Sequence, residues 1–174
     1  MRYRRASTPG ATYFFTLNTV DRSGQLLTEH VDALRESFRS VRRSRPFVLD
    51  AICVLPEHVH LLMTLPSEDA DFATRVMLIK QGFSRRVPAG ERISTSRTSR
   101  GERGLWQRRY WEHLIRDDTD FERHVDYIHF NPVKHGWAQR AADWPHSSIR
   151  RFIREGVIDA AWASVGGMEI DTGE

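Results

Sequence analysis

Two apolar runs with almost nothing between them constrain this chain most. Phe47 to Leu55 and His58 to Leu65 are rich in Val, Ile and Leu, and only Pro56-Glu57 separates them. A break that short joins two strands as an antiparallel hairpin. The second run carries histidines at i and i+2, and on a strand such residues point to the same face. His58 and His60 therefore present their imidazoles side by side, while Val59, Leu61 and Met63 enter the core behind them. Neutral imidazole is the commonest protein metal ligand. A pair on one strand face still needs at least one further ligand from elsewhere.

The rest of the chain supplies partners for that hairpin. Thr12 to Val20 is rich in β-branched and aromatic residues and reads as a strand, closed by the turn Asp21-Arg22-Ser23-Gly24. From about Glu29 to Arg43, Val31, Leu34, Phe38 and Val41 recur at helical spacing, and Pro46 closes that helix. Phe72 to Arg86 reads as a second helix with Phe72, Val76, Ile79 and Phe83 as its apolar stripe. Residues 88–104 are rich in Ser, Thr, Gly and Arg and read as a mobile loop. Leu105 to Arg116 holds Trp106, Tyr110 and Trp111 and predicts a fourth strand. Asp117 to Asp120 offers an N-cap for a helix running to about Asn131, where Pro132 predicts a stop. Trp144 to Ser148 opens a last short helix. Strand, helix, strand, strand, helix, strand, then helices is the order of an α+β sandwich of the ferredoxin-like, split βαβ kind, with one antiparallel sheet covered by helices.

A chain of 174 residues suits one domain over 1–174, with residues 1–10 as a basic arm and 167–174 as a frayed tail. No apolar run is long enough to span a membrane, and no apolar stretch follows the basic start as a signal peptide requires. The single Cys53 excludes an internal disulfide framework and suits a reducing, cytoplasmic setting. Net charge is only +3, but of 26 basic side chains just Lys80 and Lys134 are lysines, leaving 24 arginines. The competing explanation of that bias is a GC-rich genome, whose codons favour Arg. The clusters are more telling: Arg2, Arg4 and Arg5 flank Tyr3, Arg42, Arg43 and Arg45 group together, and six arginines fall between Arg85 and Arg103. Guanidinium forks fit phosphate oxygens and stack on bases, so such patches suit a polyanion.

The late helix adds the chemistry. At about 100° per residue, Phe121, Val125 and Ile128 share a core face, whereas Tyr127 and Asn131, four apart, stack on a neighbouring face with His124 beside them. One rigid element then offers a phenolic nucleophile and an oxygen ligand. A divalent cation on His58, His60 and Asn131 would polarise a phosphodiester, and Tyr127 would attack it to form a covalent phosphotyrosine. Tyr3, Tyr13 and Tyr110 compete for that role. Tyr13 lies in an apolar strand, Tyr3 sits in the basic arm where it could stack on a base, and Tyr110 suits core or DNA stacking. Glu57 could orient His58 or simply be a solvated turn residue. His124, His129 and His135 read as surface or capping groups.

Three blocks carry a resemblance: Val54-Leu55-Pro56-Glu57-His58-Val59-His60, Trp106-Gln107-Arg108-Arg109-Tyr110-Trp111-Glu112-His113, and Asp126 through Gly136 with Tyr127-Ile128-His129-Phe130-Asn131-Pro132 at its centre. Asp143-Trp144-Pro145 with Ser147-Ser148 fits too. With these the sequence resembles the REP-associated tyrosine transposases, a branch of the single-tyrosine HUH transposases, from about Tyr3 to Trp162. The resemblance implies a ferredoxin-like HUH endonuclease fold, His58 and His60 as metal ligands, Asn131 as the third ligand, and Tyr127 as the nucleophile that joins the 5′ phosphate and frees a 3′-OH. It implies Mg²⁺ or Mn²⁺, although imidazole ligands by themselves lean towards Zn²⁺ or Mn²⁺. The implied partner is a single-stranded DNA hairpin of the REP type preceded by a GTAG-type tetranucleotide, bound near the bacterial nucleoid. Arg2, Tyr3, Arg4, Arg5, Arg108, Arg109 and Lys134 are the candidate DNA contacts. A monomer is favoured over a homodimer. The rival functions are a hairpin-binding module without cleavage and a metal-dependent hydrolase using activated water. The 88–104 loop is longer than the resemblance leads one to expect.

Overall fold

The computed structural model describes residues 8–91 and 93–163. Its centre is a four-stranded antiparallel sheet of β1 (Thr12–Asn18), β2 (Val48–Val54), β3 (His58–Thr64) and β4 (Trp111–Leu114), in the order β2-β3-β1-β4. That order with intervening helices is the ferredoxin-like α+β arrangement expected from the sequence. β2 and β3 form the hairpin, with Val54 opposite Val59 and Cys53 opposite His60.

The sheet is buried on both faces. Tyr13, Phe15 and Leu17 of β1 and Val59, Leu61 and Met63 of β3 pack under α2 (Val31–Ser44) and α3 (Phe72–Arg86), joined there by Leu34, Phe38, Val76, Ile79 and Phe83. A short turn of helix, α1 (Leu26–Glu29), precedes α2. Each fully buried Leu, Ile or Phe contributes roughly 1.5–3 kcal/mol, so this layer is the main source of stability. Arg75 of α3 is 1% exposed and ties the layer to the start of β2. It donates to the carbonyls of Pro46 (2.8 Å), Asp71 (2.8 Å) and Arg45 (3.3 Å) and pairs with Asp69 at 2.7 Å.

The opposite face carries Phe14, Leu62, Ala51, Cys53 and Leu55 and is covered by α5 (Asp118–Lys134) through Val125 and Ile128. Asp117 caps α5 by accepting from the Asp120 amide at 2.8 Å, and Asp118 and Asp120 sit in its first turn where the helix dipole favours acid. The sequence predicts a stop at Pro132, but the helix continues through it to Lys134. Proline forfeits its own N–H bond and crowds the carbonyl one turn back, but it lies in the last turn, which is closed without that bond. Gly136, at φ +72, donates to Val133 at 3.0 Å, and Trp137 donates to Pro132 at 2.8 Å. That is a Schellman closure, which needs the left-handed glycine.

The predicted fourth strand is shorter than its sequence span. Residues before Trp111 instead make a lone bridge from Trp106 to Thr19. Where composition predicts only a loop, residues 88–104 include a helical turn, α4 (Thr95–Thr98), and Arg103 bonds Glu91 (2.6 Å), Val87 (2.7 Å) and Pro88 (2.7 Å). The last helix, α6 (Ile149–Arg154), begins after Trp144–Ser148, which lies along β2: His146 accepts from the Val54 amide and Ser148 donates to Ile52. Among the described residues no helix is long and apolar enough to cross a membrane.

Candidate active site

The strand register brings the site together. His58 lies opposite Asn18 and His60 opposite Thr16, all on the α5 face of the sheet. The two imidazoles are 4.6 Å apart between centroids, and both residues are 3% exposed. Thr16 Oγ1 lies 2.9 Å from His60 Nδ1, and Glu57 Oε1 lies 3.0 Å from His58 Nδ1. A carboxylate only accepts, so His58 Nδ1 donates to Glu57. Glu57 thus holds its neighbour's ring, and the solvated-turn reading of Glu57 does not apply. Arg22 in turn reaches Glu57 at 3.8 Å and Asn18 at 3.1 Å.

α5 delivers the other two groups. Asn131 is fully buried, and its Oδ1 faces His58 Nε2 at 3.3 Å. Ligand bonds of about 2.1 Å at right angles would place two ligand atoms about 3 Å apart. Asn131 Nδ2 is buried without a partner. Burial pushes the His60 imidazole well below its usual pKa, and His58, His135 and Lys134 push the same way, against the Asn131 hydrogen bond. His60 is therefore neutral, as a ligand must be. The donor set fits a divalent cation.

Tyr127 is half-buried beside this pair. Its ring centroid is 5.1 Å from that of His60 and 5.8 Å from Phe14, and Lys134 Nζ sits 5.1 Å over its face. His135 stands 5.4 Å from the His58 ring at the open side. The structure thus brings together His58, His60, Tyr127, Asn131 and Lys134. Arg109 is exposed, while Arg108 turns to Glu102 (2.9 Å) and Ser96 (3.2 Å). The arm with Arg2, Tyr3, Arg4 and Arg5 lies outside the described residues. Of the rival tyrosines, Tyr13 is fully buried and Tyr110 packs against Phe15 at 6.0 Å.

Sequence reasoning missed Thr16, whose signal is only its place two strand positions from Asn18, and His129, which is buried and bonds Ser148 Oγ at 2.9 Å. It also missed a second group behind Phe14. There Asp120 accepts from His113 (2.8 Å) and from Arg116 (3.0 and 3.1 Å), with His124 3.3 Å from its other oxygen. Burial raises the Asp120 carboxyl, and Arg116 and His113 outweigh it, leaving the group far below the usual range. The ligand atoms of His113, Asp120 and His124 lie within 4.8 Å of one another, so these three could close on a metal ion.

Residues 7–131, which span this four-stranded sheet and most of the helix that faces its paired histidines, match the family described as Transposase IS200 like. Within that class the chain belongs to the REP-associated tyrosine transposases. It is 41% identical over 169 residues to a Haemophilus influenzae protein carrying that family name, covering 97% of this chain and 96% of the relative. A second, from Escherichia coli, is 42% identical over 161 residues, covering 92% and 90%. A solved REP-associated tyrosine transposase bound to a REP hairpin superposes with a TM-score of 0.81 at 40% identity, covering 98% of this chain and 96% of that one.

Proposed function

We propose that this protein cleaves and rejoins single-stranded DNA beside a REP-type hairpin, through a 5′-phosphotyrosine and with a divalent cation. One observation carries the reading: Tyr127 and Asn131, from one helix, converge on His58 and His60, from one strand, with the His60 and Tyr127 rings 5.1 Å apart. The related protein solved with a REP hairpin supports the choice of DNA partner.

His58, His60 and Asn131 would hold Mg²⁺ or Mn²⁺. Bound there, the ion would polarise the scissile phosphate and offset its growing negative charge. Tyr127 Oη attacks phosphorus and loses its proton to solvent. The new P–O bond joins protein to the 5′ side, the P–O3′ bond breaks, and the 3′ oxygen takes up a proton. Reversal by a different 3′-OH rejoins the strand. A phenol has a pKa of about 10, and the Lys134 ammonium lies 5.1 Å over the Tyr127 ring. Glu57 and Thr16 hold the imidazoles in place. Arginines, Arg109 among them, would supply phosphate affinity, and base contacts near a GTAG-type tetranucleotide would supply specificity. The chain would work near the nucleoid, as a monomer.

Tyr127→Phe tests this reading. Strand cleavage with Mn²⁺ should vanish while hairpin binding survives. Cleavage at the parental rate by the variant would point instead to a water nucleophile.

A further inference from the structure

We propose that Trp111 is a stacking subsite for one unpaired nucleobase of the strand whose phosphate reaches Tyr127. The inference rests on the single-stranded DNA reading above and extends it to a residue which that reading does not use.

The aromatic cluster that precedes the Tyr127 helix divides sharply in the structure. Trp106 is 6% exposed and packs on Phe83, and Tyr110 leans on Phe15. Trp111, next in the chain, is 63% exposed. The core has taken the first two and left the third in water. An indole in water forgoes a large hydrophobic gain, so its position calls for a partner that arrives from solution.

Register fixes which face it lies on. Trp111 pairs with Thr16, and Thr16 pairs with His60. Directly opposed residues of an antiparallel ladder share a face, and the bond from Thr16 Oγ1 to His60 Nδ1 confirms that side for Thr16. Trp111 therefore stands in the same row as His60, on the side of the sheet that carries Tyr127. Two strand spacings separate them, about 10 Å. At about 3.4 Å or more per nucleotide, a strand crosses that distance within two or three nucleotides. β4 is an edge strand, and among the described residues no further strand pairs beyond it. Arg109 and Arg116 are exposed on either side of it in the chain. An exposed aromatic flanked by cations is the arrangement that holds single-stranded nucleic acid without reading its sequence, because every base has a π face.

The test uses the full chain carrying Tyr127→Phe, so that DNA stays intact, with a hairpin oligonucleotide bearing an unpaired extension. A 2-aminopurine is placed at each extension position in turn. One position should be quenched on binding. Adding Trp111→Ala should restore its fluorescence and weaken binding about five-fold or more, as expected for loss of one stacked base. Trp111→Phe should keep most of both. Trp111 is exposed, so circular dichroism should show the alanine variant folded. Unchanged affinity and quenching in Trp111→Ala overturns the proposal, as does a variant that changes only self-association of the protein. If the parental protein itself ignores the unpaired strand, the single-stranded DNA reading fails first, and that result is distinct from failure of Trp111 alone.

Discussion

His129 should make the protein acid-labile by a calculable amount. The imidazole is fully buried between α5 and the segment along β2, bonded to Ser148 and 4.7 Å from the Phe152 ring. Burial, then the nearby Arg151 charge, pushes its pKa down to about 3, from 6.5 when free. The folded pKa is the lower one, so between these values the unfolded chain binds the extra proton and stability falls as pH falls. The contribution is whole above pH 6.5 and disappears as the pH approaches 3. Each unit is worth about 1.4 kcal/mol, so acidification from pH 7 to pH 5 should remove about 2 kcal/mol through this side chain alone. His129→Gln keeps a donor for Ser148 and does not titrate in this range. Urea unfolding followed by circular dichroism at the two pH values measures the effect. The parental protein should lose about 2 kcal/mol more than His129→Gln across that interval, whatever the variant's starting stability. His60 is depressed by burial in the same direction, and it cancels in the comparison. Equal losses in the two proteins would show that His129 is solvated or charged in the fold, and the reasoning would fail.

Glu57→Ala should raise the Mn²⁺ concentration needed for strand cleavage about 10- to 100-fold, the usual cost of losing a group that orients a metal-binding histidine; an unchanged Mn²⁺ titration contradicts the role assigned to Glu57. Arg75→Met should lower stability by about 2–4 kcal/mol, because three carbonyls lose a buried donor, while Asp69, one-third exposed, is partly rescued by water. A loss below about 1 kcal/mol in urea denaturation would mean that this cluster is already hydrated.

How much was legible in the sequence depended on whether the signal was local. The stripe Phe72, Val76, Ile79 and Phe83 marks α3 end to end, because helical periodicity and burial coincide there. The i, i+2 histidines and the i, i+4 pair Tyr127 and Asn131 were visible for the same reason. That the two pairs meet is a tertiary fact, and only recognised motif blocks suggested it. Pro132 misled because its cost is local while its compensation, the turn closed at Gly136, lies beyond it. Thr16 was hidden because hydrogen bonding to an imidazole leaves no composition signal, and for the same reason the sequence left Glu57 open between orienting His58 and a solvated turn. His129 sits on the helix side turned to β2, and nothing in the spacing separates a buried histidine there from a capping one. The aromatics of 106–111 have similar hydrophobicity, so only the strand edge distinguishes Trp111 from Trp106.

The central claim is that one phosphate is shared by Tyr127 and the His58, His60 and Asn131 set. The most direct measurement is to incubate the protein with a hairpin-bearing single strand and Mn²⁺, isolate any covalent adduct on a denaturing gel, and map the modified residue by mass spectrometry. A nucleotide attached through its 5′ phosphate to Tyr127 is the predicted result. Cleaved DNA with no adduct, or an adduct on Tyr3, Tyr13 or Tyr110, contradicts it.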